Sequence, residues 1–184
     1  MNTLRLIALL CFFAMVTNAQ EVKFPGLDSS PADIAYYPLN VSKAKDNSSP
    51  LIKVIYSRPS KKGREIFGVL EQFGKVWRLG ANESTEICFY KTATIAGKRI
   101  KAGRYSLFAI PYKDKWTFIL NKQLDKWGAF TYDQSKDVMR VDLPLKSLAK
   151  PLEVLSITFT PSTDGATMVI GWDTTTVEVP IAIK

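Results

Sequence analysis

From Leu51 to the C-terminus, apolar and polar residues alternate with period two in one short run after another, and this restricts the fold more than any other feature. In residues 138–143, Met139, Val141 and Leu143 fall on one face and Arg140 and Asp142 on the other. In residues 153–160, Leu155, Ile157 and Phe159 oppose Ser156 and Thr158, and in residues 176–183 Val177, Val179, Ile181 and Ile183 oppose Thr176, Glu178 and Pro180. Side chains of a strand point alternately to its two faces, so each run reads as a half-buried antiparallel strand. Residues 51–56, 84–90, 105–110 and 116–120 are further β-rich runs, separated by turn signals such as Ala96-Gly-Lys and Ser162-Thr-Asp-Gly. Helical windows are few. Ser30 as a cap with Pro31 at the first helical position predicts a turn over residues 30–35, and residues 146–150 predict another before Pro151. The expected fold is all-β: a single antiparallel β-sandwich, Greek-key or jelly-roll-like, with one or two short helical turns.

The first residues have a different character. Arg5 precedes an apolar run over residues 6–16, and Thr17 and Ala19 sit three before and one before a cut after Ala19. That run is shorter than the about 20 residues a membrane-crossing helix needs, so residues 1–19 read as a secretory signal peptide. Residues 20–50 read as an N-terminal extension and linker, rich in breakers around Asn47-Ser-Ser-Pro, and residues 51–184 as the β-sandwich domain. The expectation is a protein exported to the periplasm or beyond, not membrane-spanning. Loss of Arg5 from the 25 basic side chains, against 17 acidic ones, leaves a net charge of about +7.

Two scarcities exclude most familiar chemistry. Removing Cys11 leaves Cys88 alone, so no disulfide forms within the chain and the fold stands on its core. Cys88 reads as a small strand residue rather than a nucleophile. Histidine is absent, which excludes the usual Ser-His-Asp and Cys-His catalysis and His-ligated metals. No phosphate-cradling glycine loop and no Asp-rich calcium loop occurs, so neither a cofactor nor a metal is expected. The lysines are spread over turns without interleaved aromatics, which argues against nucleic acid.

Two windows concentrate polar groups: Tyr56-Ser-Arg-Pro-Ser-Lys-Lys-Gly-Arg-Glu and Val76-Trp-Arg-Leu-Gly-Ala-Asn-Glu-Ser-Thr. If they meet at one end of the sandwich, Arg58, Arg64 and Arg78 converge with Asn82 and Glu83, and Trp77 offers an apolar platform. Forked arginine donors suit carboxylate, phosphate or sulfate, and an aromatic face suits a sugar ring. The same residues also read as scaffold: Trp77 plugging the core, Gly80 or Asn82 at a positive φ, Glu83 clamping an arginine. Among the carboxylates Glu65, Glu71, Glu83 and Glu86, nothing in the spacing selects a pair for acid–base work.

Tyr56-Ser-Arg-Pro, Lys62-Gly-Arg, Ile66-Phe-Gly, Val76-Trp-Arg, Gly80-Ala-Asn-Glu, Ala102-Gly-Arg-Tyr-Ser-Leu-Phe, Trp127-Gly-Ala-Phe and Asp137-Val-Met-Arg together resemble a bacterial family of exported proteins, the domain-of-unknown-function family 2911. The resemblance spans roughly residues 30–183 and brings no catalytic or binding residue with it. Leu79 stands where that pattern carries a threonine. Tyr105 is similar to the corner tyrosine of Greek-key sandwiches, whose hydroxyl bonds back to nearby backbone. The leading expectation is a binding or accessory module for a small anionic or saccharide ligand. The alternatives are a carboxylate-dependent hydrolase using Glu83 and a purely structural envelope protein docking through Tyr36 and Tyr37.

Overall fold

The computed structural model describes residues 21–183. Nine antiparallel strands form one continuous sheet: β1 (Ala32–Tyr37), β2 (Ile52–Ser57), β3 (Glu86–Phe89), β4 (Ala93–Ile95), β5 (Lys98–Ile100), β6 (Gly103–Pro111), β7 (Lys115–Asn121), β8 (Asp137–Ser162) and β9 (Gly165–Ile183). Their spatial order is β1-β2-β3-β6-β7-β8-β9-β4-β5. The all-β expectation holds. The alternation holds with it: Met139, Leu143, Leu155, Ile157, Phe159, Val177, Val179 and Ile181 are all buried.

The sheet becomes two facing layers because β8 and β9 bend. The first third of β8 pairs with β7 and the remainder with β9, with register shifts between Ser147 and Ser156. Each irregularity lets a strand turn a corner without ending. Val54, Ile87, Leu107 and Phe118 from one half share a core with Phe159, Ile170, Val179 and Ile95 from the other. The Tyr56 hydroxyl accepts the Ile157 N–H at 3.0 Å across that core. Past the end of β2 the chain crosses between the layers, where Leu155 N donates to the Pro59 carbonyl at 3.1 Å and Lys61 N to that of Glu153 at 2.6 Å. The Tyr105 hydroxyl donates to the Lys101 carbonyl at 2.9 Å, as the corner-tyrosine pattern implied.

The bent β9 brings its two ends together: Ile183 N donates to the Asp164 carbonyl at 2.8 Å. Gly165, at φ 155, sits where this closure leaves no room, since a Cβ there would collide with the Ile181 carbonyl oxygen and lie 2.9 Å from Ile183 N.

Two sequence expectations need correction. The turn foreseen over residues 30–35 is the edge strand β1, pairing with β2 from Ala32↔Ser57 to Tyr37↔Ile52. Pairing with an exposed strand outweighs a cap that has no helix to follow. Residues 146–150 belong to the bend of β8 rather than to a helix; the two short 3₁₀ turns lie instead at Val41–Lys43 and Gln134–Lys136. The sheet therefore starts inside the segment read as extension and linker. The leader over residues 1–19 lies outside the described residues.

Gly165→Ala tests the closure. Overpacking together with a strained backbone should lower unfolding stability by about 2–4 kcal/mol in denaturant titration. Alanine at Gly97, an open turn glycine with the same need for positive φ but no neighbour within 4 Å of a Cβ, should cost less.

Candidate functional site

The corner after residue 75 is built around Trp77. Its backbone pairs with Ala109 in both directions, at 2.7 and 2.9 Å, which fixes the strand-like direction of the chain. Its ring stacks on Trp172 with centroids 6.0 Å apart and planes at 21°, and meets Trp116 edge-on at 5.4 Å. Phe67 joins them at 6.0 Å from Trp77 and 5.1 Å from Trp116. Trp77 and Leu79 are both buried, and Arg78 between them is half-buried. Gly80 is required for close approach rather than for positive φ: a Cβ there would lie 3.1 Å from both the Ser57 carbonyl and Thr85 Oγ1. The left-handed residues of the corner are Leu79 and Asn82, at φ 55 and 58.

Arg78 lines a cavity of about 360 Å³. Lys62 and Arg64 contribute two further cations, and Ser29, Ser30 and Ser60 contribute hydroxyls. Glu71 reaches the same cavity from the loop after β2. That loop is anchored by buried Ile66 and by Phe67 in the aromatic cluster. Glu71 N donates to the Ile66 carbonyl at 2.8 Å and Gly68 N to the Glu71 carbonyl at 2.9 Å, so the loop holds its own shape.

The electrostatics here are unusual. Arg78 Nε is buried with no hydrogen-bond partner, and among the described residues the guanidinium joins no ion pair. Burial pushes the Glu71 carboxyl up to about 7, against the opposing pull of Arg78 and Arg64. An unpaired buried donor costs about 1–3 kcal/mol, and more when charged. The fold therefore carries Arg78 at a loss.

Of the six residues singled out in the sequence, the structure brings Arg64 and Arg78 together in this cavity and places the others elsewhere. Arg58 is committed to scaffold: Nη1 donates to Asp33 at 2.8 Å, Nη2 to Ser156 Oγ at 2.8 Å and Nε to the Leu155 carbonyl at 3.1 Å. Trp77 is a core residue, because its ring fits the gap between the layers and its Nε1 is taken by the Gly80 carbonyl at 3.2 Å. Asn82 shapes the corner and accepts the Gly128 N–H on its carbonyl at 2.9 Å. Glu83 is exposed and lines a separate cavity with Glu86, Arg104 and Asp125, where Arg104 already pairs with both of its acidic neighbours. Cys88 is half-buried on β3, where burial, seconded by Glu86, pushes the thiol up and leaves it a poor nucleophile.

Sequence reasoning did not select Glu71, Lys62, Ser29, Ser30 or Ser60 for the site. Glu71 was one of four undifferentiated carboxylates, and only the two glycines around it, Gly68 and Gly74, marked an excursion that could carry it back over the cavity. Ser29 and Ser30 lie in the segment read as extension. Among the described residues, no group of three or more His, Cys, Asp or Glu converges as metal donors, and no helix is long and apolar enough to cross a membrane.

The contrast between Arg58 and Arg78 is measurable. Arg58→Ala should lower stability by about 1–2 kcal/mol, allowing for a side chain one-third exposed. Arg78→Met should leave the melting temperature unchanged or raise it. Glu71→Gln should stabilise the empty protein at pH 8 and not at pH 4. A carboxyl whose folded pKa is raised loses native stability as pH climbs from the ordinary carboxyl range through about 7.

Comparison with known proteins agrees with the motif reading. No curated protein and no solved structure matches the chain. A family match runs over residues 38–181, which takes in Lys62, Arg64, Glu71 and Arg78 and leaves Ser29 and Ser30 outside. The chain thus belongs to the family described as protein of unknown function (DUF2911).

Proposed function

We propose that this chain is an exported binding module that holds a small anionic ligand in the cavity beside Arg78. The observation that carries the reading is the Arg78 side chain, buried at Nε without a partner and lining a cavity shared with two other cations. A forked donor set kept unpaired at a cost to stability is what a carboxylate, phosphate or sulfate group would complete. Export rests on the leader pattern of residues 1–19. The saccharide half of the reading is weakened by the position of Trp77, whose ring is in the core and offers no stacking face. An anionic sugar remains compatible with the serine hydroxyls.

A hydrolase built on Glu83 loses its motive, because Glu83 is exposed and shares no cavity with Arg78. The envelope role has little more support: Tyr36 and Tyr37 are both half-buried, and the Tyr37 hydroxyl is spent on the Gly165 carbonyl at 2.6 Å.

Calorimetric titration with sulfate and acetate tests the proposal, since neither changes charge between pH 6 and pH 8. Glu71 ionises as pH rises through about 7 and cancels part of the positive field, so affinity for both anions should fall several-fold at pH 8. Arg78→Met should abolish binding at either pH. Equal affinity in wild type and Arg78→Met would remove the proposal.

A further inference from the structure

We infer that the natural ligand of this cavity is a small zwitterion of the α-amino acid class, its carboxylate taken by Arg78 and its ammonium group by Glu71. The inference rests on the binding reading above and specifies which ligand chemistry completes the site.

One ion pair within reach in this cavity does not form. Elsewhere in this protein, charged neighbours close on each other: Arg58 with Asp33 at 2.8 Å, Lys61 with Asp173 at 2.5 Å, and Arg140 with Asp137 at 2.6 Å. Glu71 lies within electrostatic reach of Arg78 and Arg64, yet among the described residues it joins neither in an ion pair. Both groups ride on fixed supports. Arg78 is held between two core residues, and Glu71 sits on a loop pinned by Ile66 and Phe67. An acid and a base held apart on rigid elements in one cavity form a receptor for a ligand that carries both charges.

A receptor for a plain anion has no use for a carboxylate. Glu71 would repel such a ligand whenever ionised, and the cavity would bind it better with glutamine there. Arg64 supports the division of labour: its Nε and Nη2 are occupied by the Lys61 carbonyl at 3.0 Å and the Ser60 carbonyl at 2.5 Å, which leaves Arg78 as the open fork. A volume of about 360 Å³ suits a small molecule, and Leu70 and Pro59 give an apolar stretch of wall for a short side chain.

The proton balance separates the two ligand classes. The charged groups on the cavity wall are Glu71, Arg78, Arg64 and Lys62. Burial leaves Glu71 partly protonated near neutrality, and a ligand ammonium beside it favours the ionised form. Loading an amino acid should therefore expel a proton from Glu71, whereas loading a plain carboxylate should draw one in.

The experiment is isothermal titration of the protein with a panel of common L-amino acids. Each is compared with its deaminated carboxylic acid and its decarboxylated amine, in two buffers of different ionisation enthalpy. At least one amino acid should bind at least tenfold tighter than either analogue. It should release about half a proton at pH 7, for a carboxyl titrating at about 7, and its affinity should rise with pH, opposite to acetate. Glu71→Gln should abolish the proton release and the preference over the deaminated acid while retaining the acid itself. Deaminated acids binding as well as amino acids, in wild type and Glu71→Gln alike, would overturn the zwitterion and leave the anion reading standing. Failure of sulfate, acetate and every amino acid to bind would remove both.

Discussion

The packing of Trp77 against Trp172 is the contact on which the remaining architecture turns. Trp172 belongs to β9, in the layer formed after the sheet has bent, while Trp77 belongs to the corner between β2 and β3. Their stacking, with Trp116 and Phe67 closing the cluster, joins one layer to the other, and Cys88 stands as a free thiol among the described residues. Aromatic pairs of this kind add about 0.5–1.5 kcal/mol each beyond the area they bury. The same packing anchors the corner that carries Arg78, since Trp77 and Leu79 on either side of it are both buried. Functional placement here follows from core packing.

Two arginines show how differently one side chain is used in one fold. Arg58 closes three hydrogen bonds and straps β8 to the end of β2. Arg78 closes none at Nε. A fold selected for stability alone would place an apolar residue at position 78, since removing a buried charge together with its desolvation cost is often neutral or favourable. The same reasoning applies to Glu71, whose carboxyl is carried in a setting that resists its ionisation. Both groups cost stability when the cavity is empty, and both line the same space.

The fold was legible wherever one face of a strand is buried and the other wet. Residues 138–143, 153–160 and 176–183 alternate because the layers have an inside and an outside. β1 was not legible: Ser30-Pro-Ala-Asp carries local cap chemistry, and only the open edge of β2 makes it a strand. The bend of β8 was unreadable for a related reason, because a bulge is set by the partner strand. At the candidate site the sequence identified the two windows and two of the cavity's arginines. It could not say that Trp77 is core, since a tryptophan in a polar motif has the same composition on either side of a surface. Glu71 was hidden by equivalence with three other glutamates, and what distinguishes it is burial, which depends on the loop folding back over β9.

The hairpin of β8 and β9 closes through Thr163 and Asp164 alone. Its closure is among the least costly in the described chain, matched by the two-residue turn between β4 and β5, since closure entropy grows with the length of the loop enclosed. The cavity lies at the other extreme. Its walls come from Ser29, from residues 59–64 and 70–81, and from Trp172, and so from nearly the whole described length. Pairings that span such separations come late in assembly, so the cavity is finished only when both layers have met. Ligand present during refolding should then leave the folding rate unchanged and slow unfolding alone, because it can hold only a chain whose assembly is already complete.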